Sequence, residues 1–514
     1  MKKILLLFGF CILLLNGCSK DIAEKEITKE NTVINEIIQA ESALNVSVQR
    51  EFDTMLLSPA NTDEDKVDKP SYQMDLTYDP DTHTISGKET VTFANTSSNE
   101  WKEVCFRDFP SDQSFQDSKN AGITEIDNIK IKYPSGNTMS SSLTRDKKND
   151  SIIYFTLAEP LKPKETITVS FDICVHIPER NDRFGYNEIG CNLGYFFPIL
   201  SMYVDGKWEN HPYYELGECT YTECSTFAVK VTAPEGYMIV TTGDLAKKDG
   251  NSSEFDADNV RDFTMVISNK YHVISKEHAG VTINSYYIDG DEEGAKVVLQ
   301  AVADSIDVYN KTIGQYPYDS LDALEVLLTG AGGMEYPQLI MIDKNCYQLG
   351  KVTLQRVTAH ETAHQWFYGI IGNDSYDEAW IDEGLASYLE IVYFEKVDPK
   401  LAKNMLKNSV SKEVYSNKDS KFGLFDINNK VSDFSNDFSY VMTVYNRASE
   451  FLVTLRQTMG KEDFNSALQD IYTNYKFKIT DTKSVLKIFQ NATEVDLSDL
   501  FEYYFNEELD SKPL

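Results

Sequence analysis

Histidine is scarce in this chain, with 7 residues among 514, and basic side chains are far fewer than acidic ones. Lys and Arg total 49 against 81 Asp and Glu, so the formal net charge is −32. Such an excess of negative charge argues against nucleic-acid binding and against broad attachment to anionic surfaces. The 8 cysteines lack the spacing of a zinc-binding motif, and the sequence has no internal repeats. The length is ample for two hydrophobic cores.

Two of the few histidines stand four residues apart, in the motif HETAH at residues 360–364. A chance H-E-x-x-H is expected in about one such chain in a hundred. Residues four apart on a helix share a face, so His360 and His364 can bind one metal ion, with Glu361 beside it. The surrounding segment 352–368 has neither proline nor glycine, which favours a helix. The alternative is a helix that carries two ordinary surface histidines.

A third ligand is available at Glu383, which follows the motif after eighteen residues, in the segment WIDEG. Glycine, Asn and Asp at residues 369–374 predict a turn, and a second helix is predicted from about Asp382. If the two helices pack side by side, Glu383 reaches both imidazoles. Three protein ligands leave a fourth position open, which is typical of a catalytic zinc site. The sequence therefore predicts one Zn²⁺ per chain, bound by His360, His364 and Glu383.

These motifs resemble those of the gluzincin zinc peptidases, and above all those of the M1 family of zinc aminopeptidases. The family has a G-A-M-E-N strand before the zinc helix, and Gly332-Gly333-Met334-Glu335-Tyr336 occupies that place, with Glu335 25 residues before His360. The match departs at Gly333 and at Tyr336, and Asp382 stands where the family usually has asparagine. The family's Y-x-K-G helix is matched loosely by Tyr445-Asn446-Arg447-Ala448. The resemblance covers about residues 70–514.

The resemblance implies a role for each matching residue. Glu361 is expected to be the general base, and Tyr445 to hydrogen-bond the oxyanion of the transition state. Glu335 is expected to pair with the α-ammonium group of a peptide that has a free N-terminus. The alternatives are an ordinary carboxylate on an edge strand for Glu335 and a packing aromatic for Tyr445, with Tyr440 nearby on the same predicted helix.

The backbone of Gly332, Gly333 and Met334 is expected to bind the peptide as an added strand, because glycine permits close approach. The family also uses a residue of its N-terminal domain near the substrate amine. The motifs do not identify that residue in this sequence.

The N-terminal sequence predicts the cellular compartment of the protein. Two lysines, an apolar run and the ending Leu-Asn-Gly-Cys form a secretory signal at residues 1–17 that resembles a bacterial lipobox. Cleavage before Cys18 and a lipid on its thiol would anchor the protein to the membrane, outside the cytoplasm; an uncleaved signal anchor is the alternative. Residues 18–67 predict a flexible spacer. In that oxidising compartment Cys219 and Cys224 are close enough for a local disulfide.

From about residue 72, apolar and polar residues alternate along the sequence, which predicts β-strands. The first such run contains Tyr72, Met74, Leu76 and Tyr78. Similar runs continue to about residue 278. We expect residues 68–278 to form an all-β domain of packed antiparallel sheets, which resembles the saddle-like N-terminal domain of the M1 family.

Residues 279–514 are predicted to form an α+β domain that resembles the thermolysin-like catalytic fold. Its first helix should carry a stripe made by Val298, Val302, Ile306 and Tyr309. Larger M1 enzymes continue into a C-terminal helical domain, for which this sequence leaves no room, so we expect a more open cleft.

The sequence as a whole predicts a zinc aminopeptidase that releases N-terminal residues from peptides. Two alternatives remain open. A gluzincin endopeptidase would share the zinc site and would cleave N-acetylated peptides equally well. A non-catalytic surface lipoprotein would bind peptides without turnover.

Overall fold

A computed structural model describes residues 69–116, 120–214, 216–218, 220–409 and 426–505. The predicted signal peptide, Cys18 and the spacer lie outside these residues. The described residues belong to one compact unit. Within them, no helix has both the length and the apolar character needed to cross a membrane.

The chain up to residue 287 is mostly β-structure, in agreement with the alternating pattern. In β1, Tyr72, Met74, Leu76 and Tyr78 are all buried while their neighbours face outward. The strands are β1 (Ser71–Asp79), β2 (Thr84–Ala94), β3 (Trp101–Arg107), β4 (Ile123–Lys132), β5 (Thr138–Ser140), β6 (Leu143–Arg145), β7 (Ile152–Leu161), β8 (Thr166–His176), β9 (Phe184–Tyr186), β10 (Cys191–Leu193), β11 (Ile199–Leu200), β12 (Tyr203–Val204), β13 (Lys207–Trp208), β14 (Ser225–Thr232), β15 (Met238–Thr241), β16 (Asp244–Asp249), β17 (Ser252–Val260), β18 (Met265–Ser268), β19 (His272–His278) and β20 (Val281–Tyr287). Short 3₁₀ turns lie at Phe109–Ser111 and Gln113–Phe115.

The largest sheet has the order β16-β17-β14-β1-β2-β8-β4-β5. Its β1–β14 pair is parallel, whereas the neighbouring pairs are antiparallel. The expectation of purely antiparallel sheets is therefore wrong at this pair. The reason is the long connection between the two strands, which lets β14 enter the sheet beside β1 in the same direction.

From residue 288 onward helices predominate. They are α1 (Glu292–Thr312), α2 (Lys344–Gln348), α3 (Lys351–Ala363), α4 (Leu385–Val397), α5 (Pro399–Ser409), α6 (Asp437–Tyr440), α7 (Ala448–Met459), α8 (Lys461–Tyr475), α9 (Thr482–Asn491) and α10 (Ser498–Phe505), with π-helical turns at Trp380–Gly384 and Val441–Arg447 and a 3₁₀ turn at Val431–Asp433. The strands here are β21 (Ser320–Val326), β22 (Gly333–Met334), β23 (Leu339–Asp343), β24 (Ile371–Gly372) and β25 (Lys478–Ile479). The predicted stripe of α1 is confirmed, because all four of its side chains are fully buried.

A five-stranded sheet with the order β19-β20-β21-β23-β22 joins the β-rich and helical parts. Alternate residues of its strands face opposite sides. On β21, Ala323 packs into the core formed with the helices, whereas Leu324 packs into the core of the β-rich region. Ile340 and Met341 on β23 divide in the same way. One face of this sheet is thus covered by helices and the other by β-structure.

The predicted domain boundary at 278/279 falls in the turn between β19 and β20 and stays a prediction. The predicted cysteine pairing involves Cys219, which lies outside the described residues, while Cys224 is buried with a free thiol. Helix α3, which carries the HETAH motif, is shorter than its lack of proline and glycine suggests. It ends at Ala363, well before Gly369, because the chain then turns back and buries Trp366 and Phe367.

Candidate metal centre

The two histidines of the HETAH motif lie at the C-terminal end of α3. His364 caps the helix, and its backbone N–H donates to the carbonyl oxygen of His360 at 3.3 Å. The Nε2 atoms of the two imidazoles are 3.2 Å apart. The side chain of His364 is 1% exposed and that of His360 is 12% exposed. The four-residue spacing therefore brings both rings to one buried point.

Glu383 reaches this point from the π-helical turn that precedes α4. Its Oε2 lies 3.1 Å from Nε2 of His360 and 3.3 Å from Nε2 of His364. The turn is held by Asp382, which accepts the backbone N–H of Glu383 at 2.8 Å and the hydroxyl of Ser375 at 2.7 Å. Burial raises the pKa of Asp382 to about 6, and the charge of Glu383 adds to the effect.

The three side chains fit a zinc ion. Ligand atoms arranged tetrahedrally at about 2.1 Å from one Zn²⁺ lie about 3.4 Å apart. The measured separations among the two Nε2 atoms and the Glu383 Oε2 are 3.1, 3.2 and 3.3 Å. The donor set of two imidazoles and one carboxylate is also that of known catalytic zinc sites.

Hydrogen bonds at the far side of each imidazole support the same assignment. Nδ1 of His364 is 3.0 Å from the carbonyl oxygen of Phe367, and Nδ1 of His360 is 2.9 Å from Oε1 of Glu390. Both partners are acceptors, so each Nδ1 donates, and in the neutral ring the lone pair is then on Nε2. With both rings neutral, two lone pairs and the Glu383 carboxylate face one another, an arrangement suited to a bound metal ion.

Two residues that support the candidate metal centre were not predicted from the sequence. Glu390, seven residues after Glu383 and so on the same side of the helix, also accepts from the guanidinium of Arg356. Gln365 follows His364, and its Nε2 donates to the carbonyl oxygen of Tyr336 at 3.0 Å. Glu390 was recognisable from its helical spacing. Gln365 was not, because its partner lies on a segment distant in sequence.

Glu361 lies against the edge strand β22. Its side chain is buried, and burial raises the pKa of its carboxyl group to about 7 against the opposing effect of the two imidazoles. A Cβ atom placed on Gly333 would stand 2.4 Å from Oε1 of Glu361. Glycine at this position is therefore what allows the strand and the carboxylate to approach each other.

The strand β22 is the last strand of its sheet, paired antiparallel to β23 through Gly333 and Met334. Gly332 precedes it, and its carbonyl oxygen accepts the N–H of Asp343 at 2.8 Å. The outer edge of β22 is not paired with any described strand. An extended peptide could add to this edge, next to Glu361.

Glu335 follows β22 and is 5% exposed. Among the described residues, no Lys or Arg forms an ion pair with its carboxylate. Burial raises the pKa of the group to about 8, with the His364 imidazole and the more distant Arg183 guanidinium acting in the opposite direction and the charges of Glu383 and Glu361 adding to the rise. A buried carboxylate that has no direct ion-pair partner among the described residues is suited to a cationic ligand.

Tyr336 stands where the family that the motifs resemble has asparagine, and its side chain is buried. The ring packs edge-on against Tyr195 at 5.5 Å and belongs to the core of the β-rich region. A Cβ atom on Gly194 would stand 2.0 Å from the Tyr336 hydroxyl, so a glycine faces the phenol. The substitution therefore adds contact with the β-rich region.

Tyr445 projects from the second π-helical turn. Its hydroxyl donates to Oε1 of Glu383, and its ring lies nearly parallel to the His360 imidazole at 5.8 Å. Tyr440 packs edge-on against Tyr445, also at 5.8 Å, and its hydroxyl has no hydrogen-bond partner among the described residues. The structure thus brings the Tyr445 phenol, rather than that of Tyr440, into contact with the carboxylate of a candidate metal ligand.

The β-rich region contributes a buried polar network close to Glu335. Glu218 is 3% exposed, forms an ion pair with Arg183 and accepts the hydroxyl of Tyr195. Burial raises its pKa, which Arg183 lowers and the charge of Glu335 raises further. No pattern in the sequence points to Glu218, because its neighbours come from separate segments.

The arrangement combines three candidate metal-ligand atoms, a buried carboxylate and a phenol around one point, beside a strand edge that no described strand pairs with. A metal ion at this point would polarise a carbonyl group, while Glu361 could exchange a proton and Tyr445 could donate a hydrogen bond. These are the requirements for metal-assisted hydrolysis of a peptide bond.

Comparison with known proteins gives a consistent result. Residues 297–504 match the family model described as "Peptidase family M1 domain". Aminopeptidase 2 of Candida albicans is 23% identical over 244 residues, which are 45% of this chain and 26% of that protein. Endoplasmic reticulum aminopeptidase 2 of Homo sapiens is 28% identical over 132 residues, 24% of this chain and 14% of that protein.

Aminopeptidase N of Lactococcus lactis subsp. lactis is 23% identical over 173 residues, 33% of this chain and 20% of that protein. The matched parts thus span about a quarter or less of the length of these three relatives.

Proposed function

Since residues 297–504 belong to peptidase family M1, we propose that this protein is a zinc-dependent aminopeptidase. It would remove the first residue of peptides that have a free N-terminus. The observation that carries the proposal is the convergence of three ligand atoms within 3.3 Å of one another, next to a buried and unpaired carboxylate at Glu335.

Zn²⁺ held by His360, His364 and Glu383 supplies Lewis-acid chemistry, which activates water and polarises the carbonyl group of the first peptide bond. The chain's own residues do the rest. The Glu361 carboxylate takes a proton from the attacking water and delivers it to the leaving amine. The Tyr445 hydroxyl turns from Glu383 to the oxygen on which negative charge develops.

Substrate register would come from β22 and Glu335. The backbone of Gly332, Gly333 and Met334 binds the peptide as an added strand, and the Glu335 carboxylate pairs with the α-ammonium group. Because an internal or acetylated nitrogen carries no such charge, cleavage would be limited to the first bond. The similarity to three proteins named as aminopeptidases, although low in identity, supports the same interpretation.

The test uses one peptide in free and N-acetylated forms, with the purified protein, a zinc chelator and restored zinc. We expect single residues to be released from the free form alone, and the chelator to stop the reaction until zinc is restored. Equal cleavage of both forms would instead establish an endopeptidase. Zinc binding without turnover of a broad peptide library would indicate a peptide-binding protein.

A single substitution tests the role of Glu335. Glu335→Gln should lower kcat/KM for the free peptide about 100-fold, or about 2.7 kcal/mol, through loss of the charge that pairs with the ammonium group. The matched control is Glu325→Gln, a buried glutamate of β21 in the same sheet, which should leave kcat/KM unchanged. An equal loss of kcat/KM in both variants would show that Glu335 does not bind the α-ammonium group.

We further propose that the protein is a lipoprotein anchored outside the cytoplasm through a lipid on Cys18. The Leu-Asn-Gly-Cys ending of the apolar N-terminal run supports this. Mass spectrometry of the mature protein should find Cys18 lipidated at the N-terminus, and an intact Met1 would refute the proposal.

A further inference from the structure

A second group of metal-binding side chains lies where the β-rich region meets the segment between His364 and Glu383. Glu209 and His211 come from the connection after β13, and Asp374 comes from the turn that follows the zinc helix. We propose that Glu209, His211 and Asp374 bind a second divalent cation.

The distances fit a cation site that is looser than the first. Oε1 of Glu209 is 3.2 Å from Nε2 of His211, and the ligand atoms of all three residues lie within 4.8 Å of one another. Oδ1 of Asp377 is 4.0 Å from Nε2 of His211 and stands ready as a fourth oxygen. Since ligands of one zinc ion are about 3.4 Å apart, small shifts complete the site, and its affinity should be below that of the HETAH centre.

Each ligand is held in place by its own neighbours. Oδ1 of Asp374 accepts the backbone N–H groups of Tyr376 at 3.1 Å and Asp377 at 3.0 Å. Oε1 of Glu209 accepts the backbone N–H of Asn210 at 2.8 Å. The His211 ring stacks on Tyr376 with centroids 3.8 Å apart. A site ordered in this way before binding loses little conformational freedom on taking up an ion.

The cluster also has a carboxylate oxygen that the described chain leaves without a partner. Oδ1 of Asp377 has no accessible surface and makes no hydrogen bond to a described residue. Lys430 pairs with the other oxygen of Asp377 at 2.6 Å, whereas no described Lys or Arg forms an ion pair with Glu209 or Asp374. A cation bound between these carboxylates and Nε2 of His211 would give all of them a partner.

The ligand types indicate which ions the site would accept. One imidazole with two or three carboxylates suits Zn²⁺ or Mn²⁺, whereas Ca²⁺ prefers oxygen ligands alone. The ion would join residues 209–211 to residue 374 and so fasten the β-rich region to the connection between the two parts of the zinc motif. Because it binds only the folded chain, it should raise the melting temperature.

The experiment measures metal stoichiometry in the full chain. The variant His360→Ala/His364→Ala removes the first site, and it is dialysed to equilibrium against excess Zn²⁺ or Mn²⁺ alone before elemental analysis. We expect one ion per chain to remain and to be lost on further substitution by His211→Ala or by Asp374→Asn. A thermal scan of each variant, with and without Mn²⁺, should show the ion-dependent rise in Tm only where the ion remains.

The matched control is His176→Ala, because Glu125, Cys174 and His176 form another group of possible ligands on the surface of the large sheet. This substitution should leave the residual ion in place. The proposal is refuted if the double variant retains no ion, if the ion survives both His211→Ala and Asp374→Asn, or if His176→Ala removes it. Should His211→Ala fail to fold, as judged by circular dichroism, Asp374→Asn and Glu209→Gln decide the question.

Discussion

Gly333 and Glu361 lie so close that a Cβ atom on the first would stand 2.4 Å from Oε1 of the second. The same added Cβ would lie 2.5 Å from both Cδ and Cγ of Glu361, so rotation of the carboxylate alone does not relieve the overlap. This contact therefore sets the position of β22, the edge strand that would bind the peptide, relative to Glu361, the carboxylate that would act as the base.

Replacing Gly333 by alanine should therefore displace Glu361. We expect kcat for a free peptide to fall 10- to 100-fold, or about 1.4 to 2.7 kcal/mol, with zinc content unchanged because no ligand moves. The comparison is Met334→Leu in the same strand, which conserves volume and adds no atom beside the base. Wild-type kcat in Gly333→Ala would show that Glu361 is not the base or that it relocates without loss.

Glu390 should set the zinc affinity without touching the ion. Its Oε1 accepts Nδ1–H of His360 at 2.9 Å, and weakening this bond by Glu390→Gln should reduce zinc affinity 10- to 100-fold. Competition with a coloured chelator measures the change. The control is Glu395→Gln on the same helix, whose ion pairs are with Arg456 and Lys461, and a similar loss there would assign the effect to helix stability.

Substitutions at Tyr445 and Tyr440 test which of these two neighbouring phenols donates a hydrogen bond to the oxyanion. Tyr445→Phe should lower kcat about 100- to 1,000-fold while KM and zinc content stay near their wild-type values, because a donor to the transition state is lost. Tyr440→Phe removes a hydroxyl that has no hydrogen-bond partner among the described residues and should change kcat little. The reverse pattern would transfer the role to Tyr440.

The geometry of the candidate metal centre was the most predictable part of the molecule, because the relation between His360 and His364 depends only on helix geometry. The α1 stripe and the alternation in β1 were predictable for the same reason, since each is a local period visible directly in the sequence. To predict that Glu383 reaches the two imidazoles, the packing of α3 against α4 also had to be assumed.

Relations across the fold could not be predicted in this way. The parallel pairing of β1 with β14 depends on the path of a connection more than a hundred residues long. Glu218 approaches Glu335 only after the β-rich region packs on the five-stranded sheet. The burial of Tyr336 beside Gly194 likewise joins distant segments. A single sequence offers no period or spacing that records such contacts.

Asp262 should make stability depend on pH. It is 1% exposed, its carboxylate accepts the Tyr368 hydroxyl, and burial raises its pKa from 3.8 to about 7. A raised folded-state pKa means that the folded chain holds the proton more tightly. The contribution to the free energy of unfolding is thus complete below about pH 4 and is lost as the pH rises through about 7.

Asp262→Asn removes this titration, so it should be nearly neutral at low pH and stabilising at pH values above about 7. The largest possible effect is about 4 kcal/mol, at 1.36 kcal/mol for each tenfold change in proton affinity. Urea unfolding of the metal-free proteins at both ends of this range measures it, with the exposed Asp256→Asn as control. Parallel pH dependence in Asp262→Asn and wild type would contradict the prediction.

The two π-helical turns, at Trp380–Gly384 and Val441–Arg447, have a consequence for how the site tolerates change. Each holds an extra residue relative to α-helix, and deleting one residue would restore regular winding and rotate the preceding chain by about 100°. Glu383 or Tyr445 would then face a different direction even though every remaining side chain was intact. The centre is therefore specified by residue count as well as by residue type, and single deletions in these turns should be more harmful than most substitutions.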